Sequence, residues 1–158
     1  MPQHWRETAV VYSKYPADFS ADEVQRLDGD RWFSDCDISY GSLLLKQAYP
    51  HLQGLQPLNT LSASGHRKYM QIFHVNGNNW LTASNLLVGD SCSVIDVYDS
   101  TRVTLSTEVK KAIAGFYQCT SSTLTLHFKD VQRQPNTYNC GVYALVFTTS
   151  LTHRADPT

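Results

Sequence analysis

Apolar and polar positions recur with different periods along this chain, and the period separates predicted helices from predicted strands. Helical spacing begins after Ser34 and continues to about Tyr49, where Pro50 ends the segment. Ser34 and Asp37 have the spacing of a capping box, which favours a helix starting at this point. The apolar side of that helix is expected to bury Ile38, Leu44, Leu45 and Ala48.

Two strand-like segments follow at residues 69–75 and 78–84. They are separated by Asn76-Gly77, a dipeptide typical of a two-residue type I′ turn. The sequence therefore predicts a β-hairpin in the middle of the chain.

The remaining segments alternate between strand and helix patterns. We expect a strand at 93–98, a helix from Ser106 or Thr107 to about Gln118, a strand at 123–131 and a final helix opened by Cys140. This order predicts an α+β fold with a mostly antiparallel sheet packed against helices. Inward positions are Val109, Ile113 and Phe116 on the helix and Leu124, Leu126 and Phe128 on the strand.

Composition and charge narrow the function classes. The 158 residues fit one domain, in which residues 1–30 are mixed and irregular with a short strand at 9–12, and residues 54–65 form a loop. A net charge of −1 predicts neither a nucleic-acid partner nor a charged membrane patch, and no apolar stretch is long enough to span a bilayer. The four cysteines lack disulfide-type spacing, which favours a reducing intracellular compartment, the cytoplasm or the nucleus.

The segment 134–141 carries the strongest chemical signal, because a turn-forming stretch leads directly into the apolar run 142–151. Cys140 then falls at a helix N-terminus, where the positive end of the helix dipole favours the thiolate. Gln134 could donate to the oxyanion that forms when a thiolate attacks a peptide carbonyl. The alternatives are an inert buried cysteine and a solvated loop glutamine.

With its surroundings, this segment resembles the ubiquitin-like-protein proteases of the Ulp/SENP type, which share a papain-like fold with the adenovirus protease. That family has a His-Trp pair on one strand, an Asp at the end of the next strand, then Gln, then Cys-Gly opening a helix. The likeness covers most of the chain, from about residue 32 to residue 151. The matching places are Asn79-Trp80, Asp99-Ser100, Gln134 and Cys140-Gly141, preceded by Trp32-Phe33-Ser34-Asp35 at the entrance to the first helix.

The resemblance implies a cysteine isopeptidase that cleaves after the C-terminal Gly-Gly of ubiquitin or a related modifier such as SUMO. Cys140 would be the nucleophile, Gln134 the oxyanion donor and Asp99 the residue that orients the base. The alternative for Asp99 is a turn-initiating residue, and the alternative for Trp80 is an ordinary core indole. Substrate-binding positions implied by the resemblance are Trp80, Trp32, Asp35 and Gly141.

Position 79 departs from the family pattern, because it is Asn where the family has His. An amide forms hydrogen bonds but cannot act as a base at neutral pH. His74 is a candidate substitute base: a two-residue turn at 76–77 would pair it with Asn79, with Cβ atoms about 4.5–5.5 Å apart. A three-residue loop would pair Val75 with Asn79 instead.

Two function hypotheses follow from this pattern. An impaired peptidase is favoured by the presence of Cys140, Gln134 and Asp99, whereas a pseudoprotease that binds a ubiquitin-like protein without cleaving it is favoured by Asn79. A third interpretation is that Asn79 is a substitution introduced to trap a complex. Under each, we expect a monomer without a cofactor, and the His and Cys spacing predicts no metal site.

Overall fold

The computed structural model of the chain describes residues 32–56, 68–89, 93–117 and 123–158. The predicted irregular segment 1–30, most of the predicted loop 54–65 and the predicted helix end at Gln118 lie outside these ranges. None of the helices in the described ranges is both long and apolar enough to cross a membrane.

Three helices and four strands make up the described part of the chain, in the order that the hydrophobic pattern predicts. They are α1 (Asp35–Ala48), β1 (Met70–Val75), β2 (Asn79–Ser84), β3 (Val94–Tyr98), α2 (Thr107–Tyr117), β4 (Thr125–Phe128) and α3 (Cys140–Thr152).

The strands form one sheet in the order β1-β2-β3-β4. The first two pairings are antiparallel, and β3 pairs with β4 in parallel because α2 connects them as a crossover. The predicted α+β class with a mostly antiparallel sheet is therefore confirmed.

Helices cover both faces of this sheet. Trp80 lies in the core cluster that includes Ala144 of α3, whereas the next residue, Leu81, lies in the cluster that includes Ile113 of α2. A hydrogen bond from Thr82 Oγ1 to the Ala144 carbonyl, 2.9 Å long, ties β2 to α3. The strand that carries position 79 is thus buried along its whole length, which holds the site on a rigid element.

Helix α1 begins where the capping box predicts. The Ser34 side chain accepts from the Asp37 backbone N–H, and the Asp37 carboxylate accepts from Ser34 N at 2.6 Å. A Cβ on Gly41 would lie 2.8 Å from Leu145, so this glycine lets α1 approach α3 closely. The prediction that Ala48 is buried is wrong, because it is exposed at the last turn of α1.

The hairpin register differs by one residue from the register that a two-residue turn would give. Asn76 and Gly77 do have the positive φ angles of a type I′ turn, 53° and 81°. Asn78 also belongs to the loop, however, so Val75 pairs with Asn79 and His74 pairs with Trp80. The predicted His74–Asn79 pairing is wrong, and a one-residue shift moves a side chain to the other face of a strand.

The last strand is shorter than predicted and less buried. It covers Thr125–Phe128, and Phe128 is 46% exposed instead of facing the core. Among the described strands β4 pairs only with β3, so it forms an edge. Phe128 lines an open cavity beside Arg102 and Lys110.

Candidate active site

The start of β2, the end of β3 and the start of α3 meet at one place. Asn79 is the first residue of β2, Asp99 follows β3 directly, and Cys140 is the first residue of α3. The Asn79 Nδ2 donates to Asp99 Oδ1 at 3.1 Å, and the Cys140 thiol lies 3.6 Å from the carbonyl oxygen of Asn78. The structure therefore brings together three of the residues that the sequence pattern singles out, over a long sequence separation.

Asp99 is fixed by donors on every side. Besides Asn79, its Oδ1 accepts from the backbone N–H and the hydroxyl of Thr101, at 3.0 and 2.7 Å, and its Oδ2 accepts from Val103 N at 3.1 Å. The turn-initiating alternative for Asp99 and its place beside position 79 therefore coexist. A carboxylate held in this way, 3% exposed, orients whatever side chain stands at position 79.

The oxygen of the Asn79 amide, unlike its nitrogen, lacks a hydrogen-bond partner among the described residues. Its Oδ1 is buried and accepts no hydrogen bond within the described residues. An unpaired buried acceptor costs roughly 1–3 kcal/mol, and most buried polar groups in folded proteins are paired. The amide thus reproduces the contact to Asp99 expected of a catalytic histidine, while its second polar atom stays unused.

The thiol of Cys140 behaves differently from the sequence expectation. Burial raises its pKa, and the negative charge of Asp99 acts in the same direction. The backbone N–H groups of Trp80, Gly141 and Cys140 lower the pKa but do not compensate. The helix N-terminus does favour the thiolate, as predicted, but the net pKa of Cys140 is raised because desolvation outweighs the N–H groups.

Gln134 is held in the loop that precedes α3. Its Oε1 accepts from the Ser100 hydroxyl at 2.7 Å, its Nε2 donates to the Asn136 carbonyl at 2.6 Å, and its backbone N–H donates to the Ser100 carbonyl at 3.2 Å. These bonds link the loop to the end of β3, where Asp99 stands. The amide keeps a second N–H, so its role as an oxyanion donor stays a prediction.

Trp80 is a buried residue of the hydrophobic core. It is 2% exposed, and its indole N–H donates to the Phe33 carbonyl at 3.1 Å. The His74 ring stacks on the indole with centroids 4.2 Å apart, and its Nδ1 lies 3.7 Å from Asp35 Oδ1. His74 thus packs on Trp80 instead of pairing with Asn79, which removes the basis for His74 as substitute base.

Of the remaining predicted positions, Trp32 and Asp35 line cavities, whereas Gly141 is buried. A Cβ on Gly141 would lie 2.7 Å from the Phe33 side chain, so close packing explains this glycine. Trp32 is 40% exposed and lines both cavities. One, of about 620 Å³, also contains Asp35, His74 and Trp80; the other, of about 420 Å³, also contains Asn79, Ser100, Arg133 and Gln134.

Two contributors were not singled out from the sequence. The Asn78 carbonyl contacts the Cys140 thiol, and the Ser100 hydroxyl holds Gln134. The only signal was their position, each adjacent in the chain to a predicted site residue. In the described ranges no three His, Cys, Asp or Glu side chains are grouped in a way that could hold a metal ion.

Comparison with known proteins places this arrangement in a known fold. No family model and no curated protein matches the chain. Among solved structures, the yeast Ulp1 protease domain in complex with the SUMO orthologue Smt3 aligns with a TM-score of 0.67 at 15% identity, covering 88% of this chain and 74% of that one. A de-sumoylating protease aligns with a TM-score of 0.66 at 13% identity, over 85% and 68% of the two chains.

The effector XopD of Xanthomonas campestris, in a structure bound to ubiquitin, aligns with a TM-score of 0.58 at 14% identity, over 89% of this chain and 84% of that one. At these identities the likeness shows the fold. The predicted papain-like fold of the Ulp/SENP type is therefore confirmed.

Proposed function

We propose that this chain is a cysteine peptidase of ubiquitin or a ubiquitin-like protein such as SUMO, cleaving after the C-terminal Gly-Gly at a rate limited by Asn79. The observation that carries the proposal is the bond from Asn79 to Asp99 next to Cys140, in a chain with the fold of Ulp1 and XopD. A third triad member is held in working orientation although the base itself is absent.

The chemistry at this site would proceed in two steps. Cys140 Sγ attacks the carbonyl carbon of the last glycine, the oxyanion takes hydrogen bonds from the Cys140 N–H and the Gln134 amide, and the C–N bond breaks to release the amine. Water then hydrolyses the thioester and releases the free carboxylate. The thiol proton must leave and the amine must gain one, and Asn79 can do neither, so solvent has to carry both protons.

A specific observation favours a second function, binding without turnover. The pKa of Cys140 is raised, so the sulfur is mainly a thiol at neutral pH, and no histidine in the described residues contacts it. A domain of this kind would hold a modifier by its tail and leave it intact. Recognition of the modifier is common to both functions.

Ubiquitin and SUMO carrying a C-terminal vinyl sulfone test the proposal directly. We expect slow covalent labelling at Cys140 by one of them and none in a Cys140→Ala variant. Cys36 is an exposed free thiol, so the experiment belongs in a Cys36→Ser background, with the modified residue identified by mass spectrometry. Binding without labelling supports the pseudoprotease, and neither binding nor labelling refutes both functions.

The proposal also includes the setting in which the domain works. The four cysteines lack disulfide-type spacing, which favours a reducing compartment, the cytoplasm or the nucleus. We expect the domain to act as a monomer, without a cofactor, on a protein partner. Sedimentation of the free chain and of its mixture with the modifier measures both stoichiometries.

A further inference from the structure

The orientation of the Asn79 amide is determined by its neighbour. Both oxygens of the Asp99 carboxylate are acceptors, and Oδ1 accepts a hydrogen bond from Asn79 Nδ2 at 3.1 Å. Turning the amide over would place its oxygen against a carboxylate oxygen. The Asn79 Oδ1 is therefore held at the opposite edge of the amide, where it is a buried acceptor without a donor among the described residues.

Position 79 is also where a substrate would present a donor. In a cysteine peptidase the residue at the base position hands a proton to the leaving amine, so it lies beside the scissile nitrogen. Before cleavage that nitrogen carries an N–H. Asn79 lines the cavity of about 420 Å³ together with Ser100 and Gln134, so a scissile amide that enters this cavity comes to position 79.

We infer that Asn79 Oδ1 accepts a hydrogen bond from the N–H of the scissile amide, so that this site binds the conjugated modifier more tightly than the free C-terminal acid. The inference rests on the proposed function and specifies which form of the modifier is recognised. A free acid has no N–H to donate, and its negative charge would lie near the carboxylate of Asp99. Arg133 lines the cavity that Asn79 lines, and its positive charge would attract the free carboxylate and so reduce the preference for the conjugated form.

Three forms of one modifier separate these contributions. Ubiquitin and SUMO are prepared as the free acid, the C-terminal methyl ester and the C-terminal methylamide, and their Kd values are measured by calorimetry on a Cys140→Ala variant, which cannot hydrolyse them. Ester and amide differ in the N–H, whereas ester and acid differ in charge. The methylamide should bind about tenfold more tightly than the ester, the gain from one hydrogen bond to an otherwise unpaired buried acceptor.

Two variants in the same background locate the effect. Asn79→Ala should abolish the difference between amide and ester, whereas Arg133→Gln should preserve it. If Asn79→Ala does not fold, the comparison of amide and ester on the Asn79 protein still decides. Equal Kd values for amide and ester, or tightest binding of the acid, overturn the inference and leave the proposed function standing, whereas no binding of any form refutes both.

Discussion

Replacing Asn79 by histidine should restore rapid cleavage, because the partner that would orient an imidazole is already in place. Asn79 Nδ2 and Asp99 Oδ1 are 3.1 Å apart in a buried site. The Nδ1 of a histidine is bonded to Cγ, as the Nδ2 of asparagine is, so the Asn79→His variant can donate the same hydrogen bond. Its Nε2 then lies on the other side of the ring and can take the proton of Cys140.

The expected gain in kcat/KM equals the contribution of the general acid–base that Asn79 cannot provide. A positioned general acid–base contributes about 10²–10⁴-fold, equivalent to lowering the barrier by about 3–5 kcal/mol. We expect the upper part of that range, because even an ordinary thiol is only a few per cent thiolate at pH 7 and burial raises the pKa of Cys140 further. The larger ring should cost about 1–3 kcal/mol of stability, since position 79 is buried.

The assay is kcat/KM for ubiquitin and SUMO carrying a C-terminal aminocoumarin. Asn79→Gln is the matched control, because it adds bulk without adding a base and should show no gain. Cys140→Ala in the Asn79→His background should abolish cleavage. An Asn79→His protein that unfolds as cooperatively as the wild type and binds the substrate, yet cleaves no faster, would refute the geometry proposed for this site.

Three further predictions address the thiol, the hairpin and the loop before β1. Alkylation of Cys140 should rise about tenfold per pH unit and continue to rise above about pH 8.5, the ordinary pKa of a thiol, because burial raises its pKa. A plateau at or below about pH 8.5 would contradict this. His74→Ala should lower the free energy of urea unfolding by about 1 kcal/mol through the lost stacking on Trp80, with probe labelling unchanged; a folded variant that no longer labels would show His74 to be the base after all. Gly54→Ala should lower the free energy of unfolding by more than about 2 kcal/mol, because φ is +106° and a Cβ would lie 1.8 Å from a backbone carbonyl oxygen. Gly77→Ala is the control, because φ is +81° but no atom lies near the added Cβ, and it should cost about 1 kcal/mol. Equal losses in the two variants would argue against the contact at Gly54.

Much of the fold could be predicted from local patterns. The capping box at Ser34, the turn dipeptide at Asn76-Gly77 and the apolar run after Cys140 each involve residues within a few positions of one another. Interactions at that range depend on backbone geometry that every chain shares, so their sequence signatures carry over. The order of residues also identified Asn79 and Asp99 as members of one site, through the resemblance to Ulp/SENP proteases.

Three features depended on tertiary contacts instead. The hairpin register is one residue away from the local turn preference, with Asn78 in the loop and its carbonyl at the Cys140 thiol. Phe128 alternates correctly but lies on the edge strand β4, where it lines an open cavity and is exposed. The pKa of Cys140 rises although its helix position favours the thiolate, because desolvation is set by everything packed around the sulfur.

The sequence by itself therefore determined which elements form, and its resemblance to Ulp/SENP proteases grouped Asn79, Asp99 and Cys140 in one candidate site. The tertiary structure alone decided how those residues are used: His74 stacks on Trp80, and the Asn79 amide is held by Asp99 with its oxygen unpaired. The physical reason is range, because propensities and caps act over a few residues, whereas register, burial and hydrogen-bond direction depend on partners far apart in the chain.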